Sequence, residues 1–272
     1  MIAVEVIGDP DAAPVLFCHG LADSRLSAGW FEQTAHELGL CLVAPDRPGT
    51  GGSDPRRLSQ LADWADDAAL VLDALRIDSA ALLGVSAGGP FAAACAAALP
   101  GRVRNLLLVS PLGLPGWSTR GMAPGERMSL ALAGQVPGFG GWFLGRLNVL
   151  ARHSPRLFFR LTETSLPDVD AGTLGQPDAR ESFLSNYAEA FRRGSEGVAQ
   201  DLRVLTRPWG FDLGSINVPT VISHGDADTT VPLQHAQLYA AAIPGAQLQI
   251  LPGHGHFSIL GIGRELLAPL AS

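Results

Sequence analysis

The sequence has no lysine: all 19 of its basic residues, in 272, are arginine. Mechanisms that need a Schiff-base lysine or a phosphate-loop lysine are therefore excluded. Cysteine is scarce too. Cys18, Cys41 and Cys95 form no C-x-x-C pair, and the first two lie in apolar, strand-like runs. They read as reduced core residues of a cytoplasmic protein rather than as a disulfide framework. Charged residues make up only 17%, with a formal net charge of −7. An acidic chain without a basic stripe has no electrostatic footprint for nucleic acid. No stretch approaches the roughly 18 apolar residues of a membrane helix, so no membrane partner is expected. Met1-Ile2-Ala3-Val4-Glu5 lacks the basic start and apolar middle of a signal peptide.

Apolar residues, in contrast, are plentiful at 47%, enough for a sizeable core and incompatible with wholesale disorder. The length suits one large domain, or a core with an insertion. Short apolar runs alternate with helix-like stretches. Val15–Cys18, Cys41–Ala44, Ala80–Val85 and Leu106–Val109 read as strands. Between them, residues 27–39, 59–75 and 87–99 carry helical spacing, the second through Leu61, Trp64, Ala68, Val71, Leu72 and Leu75. The rhythm returns with strands at 220–223 and 248–251, a helix near 233–242 and a last helix after His256. This pattern predicts an α/β fold: a mostly parallel sheet flanked by helices on both faces.

Residues 112–213 interrupt it. They are helix-like, with Gly and Pro between the helices, and rich in rings: Trp117, Phe139, Trp142, Phe143, Phe158, Phe159, Phe183, Phe191, Trp209 and Phe211. The segment carries eleven Arg against ten acids, so it is slightly basic on an otherwise acidic chain. It is expected to be a helical cap, or lid, with residues 1–111 and 214–272 forming the core.

Gly84-Val85-Ser86-Ala87-Gly88 is a G-x-S-x-G sequence. Alone it is weak, and an ordinary glycine-rich turn or a phosphate loop could produce it. Its context is more specific, because a strand runs into it and a helix runs out. That is the strand–turn–helix of a nucleophile elbow, with Ser86 projecting from the sheet edge. Gly84 and Gly88 supply the space that side chains would fill. The backbone N–H of Ala87, just after the nucleophile, is the first expected oxyanion donor.

A serine nucleophile needs a base, and the base needs an orienting acid. Ser223-His224-Gly225-Asp226-Ala227-Asp228 follows one later strand, and Pro252-Gly253-His254-Gly255-His256-Phe257 follows the next. Asp226 or Asp228 could be the acid, and His254 or His256 the base. His254-x-His256 with the aspartates could also be read as a metal pair, but no third histidine has ligand spacing. No metal and no cofactor are expected.

In these features the chain resembles the α/β-hydrolase superfamily along nearly its whole length. The matching residues are His19-Gly20, the loop Pro45-Asp46-Arg47-Pro48-Gly49-Thr50-Gly51, the elbow at Ser86, Gly225-x-x-Asp228-x-x-x-Pro232, and Gly255-His256. The resemblance implies Ser86, Asp228 and His256 as catalytic triad and the N–H of Leu21 as second oxyanion donor. It gives His19, with Gly20, a supporting role tying that loop to its neighbours; Asp46 and Arg47 are expected to brace the adjacent loop. Met1 starts almost at the second strand of the family's usual sheet, so the first is expected to be missing.

Departures narrow the branch. Ser86 is not Asp, unlike the nucleophile of haloalkane dehalogenases and epoxide hydrolases. The elbow lacks the Gly-Gly-Ser-Trp-Gly of proline iminopeptidases. The loop after His19-Gly20 reads Leu-Ala-Asp-Ser-Arg, not the Gly-Pro-Gly typical of carbon–carbon-bond hydrolases.

The expected function is a serine carboxylesterase acting on a small, largely apolar ester. A lactonase, thioesterase, amidase or C–C-bond hydrolase with the same triad is an alternative, as is a hydrolase-fold ligand-binding protein. The cap's rings suit an apolar pocket, though each could equally belong to the cap's own core. Arg146, Arg152, Arg156 and Arg160 could recognise an anionic substrate or simply form a solvated face. Homo-oligomerisation is left open.

Overall fold

The computed structural model describes residues 1–113, 120, 122, 127 and 139–271. Its centre is a seven-stranded sheet: β1 (Val4–Ile7), β2 (Ala13–Cys18), β3 (Leu40–Pro45), β4 (Ala80–Val85), β5 (Val103–Val109), β6 (Thr220–Gly225) and β7 (Gln247–Leu251). The spatial order is β1-β3-β2-β4-β5-β6-β7. Every pairing is parallel except that of β1 with β3. The strand at Val4–Ile7 went unread in the sequence because it is four residues long and only half-buried.

Parallel strands need crossovers, and the helices α1 (Glu32–Leu38), α2 (Trp64–Ala74), α3 (Gly88–Ala98), α9 (Leu233–Ala242) and α10 (Gly263–Leu267) flank the sheet. Strand alternation splits the core into two layers. Leu16 and Cys18 of β2 pack with Trp64, Phe91 and Ala92 on one face. Val15 and Phe17 pack with Phe31, Ala35 and Leu267 on the other. Both faces are covered, which is why these strands read as continuous apolar runs rather than as alternating ones. Two expected helices begin with 3₁₀ turns, Arg25–Phe31 before α1 and Leu61–Asp63 before α2.

Between β5 and β6, the described residues include five α-helices, α4 (Phe139–His153), α5 (Pro155–Glu163), α6 (Asp168–Leu174), α7 (Pro177–Ala190) and α8 (Glu196–Leu205), then a 3₁₀ turn, Leu213–Ser215, and no strand. Leu144, Phe158, Tyr187, Phe191, Val198 and Leu202 give these helices an apolar cluster of their own. Pro155 starts a new helix instead of continuing the old one. Arg146, Arg152, Arg156 and Arg160 are all exposed, and Arg146 lies over the exposed Trp142 ring.

Strand register places the working end. Cys18 lies opposite Gly84, Val85 opposite Val109, Val109 opposite Ser223, and Gly225 opposite Leu251. The loops leaving β2, β4, β6 and β7 therefore emerge along one edge. Strand order reverses between β2 and β4, where the crossovers leave a crevice at the strands' carboxyl ends.

Candidate active site

β4 ends at Val85, and the chain turns sharply through Ser86 into α3. Ser86 has φ 55°, in the left-handed region that side chains rarely occupy. Backbone bonds hold it there. Its N–H donates to the Val109 carbonyl at 2.9 Å, and its own carbonyl accepts from Gly89 and Leu112 at 3.0 Å each. The glycines are required by space. A Cβ at Gly84 would lie 2.8 Å from that of Ala92, and one at Gly88 would overlap the Cys18 carbonyl oxygen.

Ser86, Asp228 and His256 come together; Asp226 and His254 do not join them. Ser86 Oγ lies 3.0 Å from His256 Nε2, and His256 Nδ1 lies 2.8 Å from Asp228 Oδ2. An ionised carboxylate only accepts, so Nδ1 carries the proton and Nε2 is free to accept from the serine hydroxyl. Asp228 Oδ1 accepts from the N–H groups of Thr230 and Val231 at 2.9 and 2.8 Å. Burial pushes the Asp228 carboxyl up, but the electrostatic interaction and hydrogen bond with His256, helped by His224 and the Val231 N–H, outweigh it and hold the group below the usual carboxylate range. Asp226 is exposed and accepts from Gly253 N–H at 2.7 Å, as a turn residue does. The Nδ1 of His254 is buried and has no partner.

The loop after β2 faces the elbow. Gly20, Leu21, Ser86, Ala87 and His256 line one cavity of about 550 Å³. Arg47 fixes this loop: it donates to the carbonyls of His19 and Gly20 at 2.6 and 2.7 Å and pairs with buried Asp201 of α8 at 2.8 Å. His19 is fully buried, with Nδ1 3.0 Å from the Gly20 carbonyl and Nε2 accepting from Arg47 N–H. Burial, with Arg47 beside it, holds His19 well below the ordinary histidine range, so its imidazole is neutral. Asp46 accepts from Arg25 at 2.7 Å and from Gly52 N–H at 2.8 Å, bracing the neighbouring loop.

The helical insertion covers the cavity with Phe143, Leu147, Phe158, Leu161 and Phe183. Other rings do other work. Phe159 and Phe191 are buried among the insertion's helices, Trp209 and Phe211 join the sheet's core, and Trp142 is exposed. Trp117 lies outside the described residues. None of the four arginines at 146–160 is among the described residues that line the cavity.

Sequence reasoning missed Asp170, on α6. Its carboxylate is fully buried and accepts from three successive N–H groups: His256 at 2.7 Å, and Phe257 and Ser258 at 2.9 Å each. These are otherwise orphan donors at the start of the 3₁₀ turn Ser258–Ile262. Gly255 has no room for a side chain because a Cβ there would overlap this carboxylate. Nothing in the spacing around Asp170 signals a partner 86 residues away.

A family model described as alpha/beta hydrolase fold matches residues 13–261. A 2-hydroxymuconate semialdehyde hydrolase of Pseudomonas sp. (strain CF600) is 30% identical over 250 residues, spanning 90% of this chain and 81% of the relative. A bromoperoxidase from Bacillus anthracis superposes with TM-score 0.74 at 21% identity, covering 99% of this chain and 94% of its own. An esterase from Exiguobacterium antarcticum does so with TM-score 0.70 at 20% identity, covering 100% and 96%.

Proposed function

The chain belongs to the α/β-hydrolase fold family, and from that premise we propose that it is a serine hydrolase cleaving a small, largely apolar carboxylic ester. The observation that carries this reading is the bonded series Ser86–His256–Asp228 on the floor of an apolar cavity. Ser86 Oγ attacks the ester carbonyl while His256 Nε2 takes its proton. The tetrahedral oxyanion collects the N–H groups of Leu21 and Ala87, each worth about 3 kcal/mol in the transition state. Asp228 holds the imidazole in the accepting tautomer and stabilises the imidazolium as it forms. His256 then returns the proton to the leaving alcohol, giving the acyl-enzyme. Water, activated by the same histidine, releases the acid and restores Ser86. Residues 112–213 act as the cap that excludes bulk water.

The relatives favour a second reading. Hydrolases of 2-hydroxymuconate semialdehyde suggest C–C-bond cleavage on the same triad. The two separate in a substrate panel: a 4-nitrophenyl hexanoate, a γ-lactone, an acyl thioester, an anilide and a 2-hydroxy-6-oxodienoate. Esters should give the highest kcat/KM, and Ser86→Ala should lower it by at least about 10³-fold. Preferred dienoate cleavage, or ester turnover retained by Ser86→Ala, would contradict the proposal.

A further inference from the structure

Among its described lining residues the cavity has one carboxyl, Asp23, for which the triad has no use. Asp23 lies three residues after Gly20, in the loop after β2 that also carries Leu21, and lines the same space as Ser86. A side chain at position 20 would meet Asp23 Oδ2 at 3.2 Å and Ser86 Cβ at 3.7 Å, so acid and nucleophile flank the same glycine. Oδ2 accepts from Gly20 N–H at 3.0 Å.

Among the described lining residues none is arginine. The sequence outside the described residues adds none: 114–119, 121, 123–126 and 128–138 contain no Arg, Lys or His. The charged groups that reach Asp23 come from other elements. Arg47, after β3, pulls its carboxyl down somewhat but is already paired with Asp201. His256 lines the same cavity, bonded to Asp228 and Ser86. The Ser27 hydroxyl and the Ser24 backbone also favour the carboxylate; Asn186 of α7, which bonds Ser24, is uncharged.

We propose that Asp23 sets the substrate's charge class: the cavity takes acyl or alcohol groups bearing a hydroxyl or an amine and rejects those bearing a carboxylate. This rests on the cavity being the substrate site proposed above. A carboxylate in a cavity of low polarity attracts a donor or cation and repels an anion far more strongly than it would in water. Burial is the main influence on Asp23 and pushes its carboxyl up to about 6. The selection should therefore be complete near pH 8 and fade as pH falls through about 6, where the group takes a proton.

The test is binding, not turnover, so it stands apart from the ester reading. Ser86→Ala protein is titrated in a calorimeter with 4-phenylbutanol, 4-phenylbutylamine and 4-phenylbutanoate. At pH 8 the alcohol and amine should bind at least about ten-fold more tightly than the carboxylate. In Ser86→Ala/Asp23→Asn, which keeps an acceptor oxygen for Gly20 N–H, the gap should shrink to within about three-fold. At pH 5.5, with Asp23 intact, the alcohol-to-carboxylate gap should shrink in the same direction, which needs no second variant to fold. Equal binding of alcohol and carboxylate at pH 8, a gap that survives both Asp23→Asn and pH 5.5, or failure of all three probes to bind would overturn the inference.

Discussion

Asp228 and Asp226 stand two residues apart on one turn and differ in everything that matters for a triad. Asp228 is buried and accepts from His256, Thr230 and Val231. Asp226 is exposed and closes the loop by accepting from Gly253 N–H. The turn after β6 points one carboxylate inward and the next outward, and that orientation is invisible in the string Gly225-Asp226-Ala227-Asp228. If Asp228 orients His256, Asp228→Asn should lower kcat by about 10³- to 10⁴-fold by favouring the wrong tautomer. Asp226→Asn should leave kcat within about three-fold, because its bond to Gly253 N–H can be made by an amide oxygen. Paired kcat measurements decide this, and the reverse order of effects would move the acid to Asp226. The glycines were legible for a simpler reason. Gly84 is demanded by contacts a few residues on in the chain, and Gly88 by the carbonyl that ends the neighbouring strand; both sit at fixed places in the strand–turn–helix, and that leaves a motif.

At the scale of elements, the loop that carries His256 is held by a helix of the insertion. Asp170 gathers three consecutive backbone donors of that loop from within α6. The insertion is therefore joined mechanically to the base, beyond covering the cavity. Asp170→Asn can satisfy at most part of this cradle, since an amide presents one acceptor oxygen where the carboxylate presents two. We expect kcat to fall by about ten-fold or more with KM changed less than three-fold, and Tm to drop by several degrees. The pH profile of kcat should also move, as His256 is less firmly placed against Asp228. A loss of stability with kcat and its pH profile unchanged would make Asp170 merely structural. This joint was not legible in the sequence, because the contact spans 86 residues and uses backbone donors, which leave no residue-type signature. By the same logic β1 escaped notice: four half-buried residues at a sheet edge carry too little periodicity to read. The buried parallel strands and the Ala-rich helix α3 were plain, because burial on both sides dictates composition.

For the whole molecule, the insertion and the sheet share polar joints as well as a cavity. Arg47 of the core pairs with Asp201 of α8 at 2.8 Å, Arg25 with Glu189 of α7 at 2.6 Å, and Ser24 with Asn186 at 2.6 Å. Buried and partly buried pairs of this kind fix one arrangement of two packed units more than they add net stability. Among the described residues no helix is long and apolar enough to cross a membrane. The account as a whole stands on Ser86 being an activated nucleophile inside that roofed cavity. The most direct measurement is intact mass after treatment with an alkyl fluorophosphonate, on the wild-type protein and on Ser86→Ala. The account predicts one covalent adduct on the wild type and none on the variant. A folded wild-type protein that takes up no adduct, or a variant that still takes one, would contradict it.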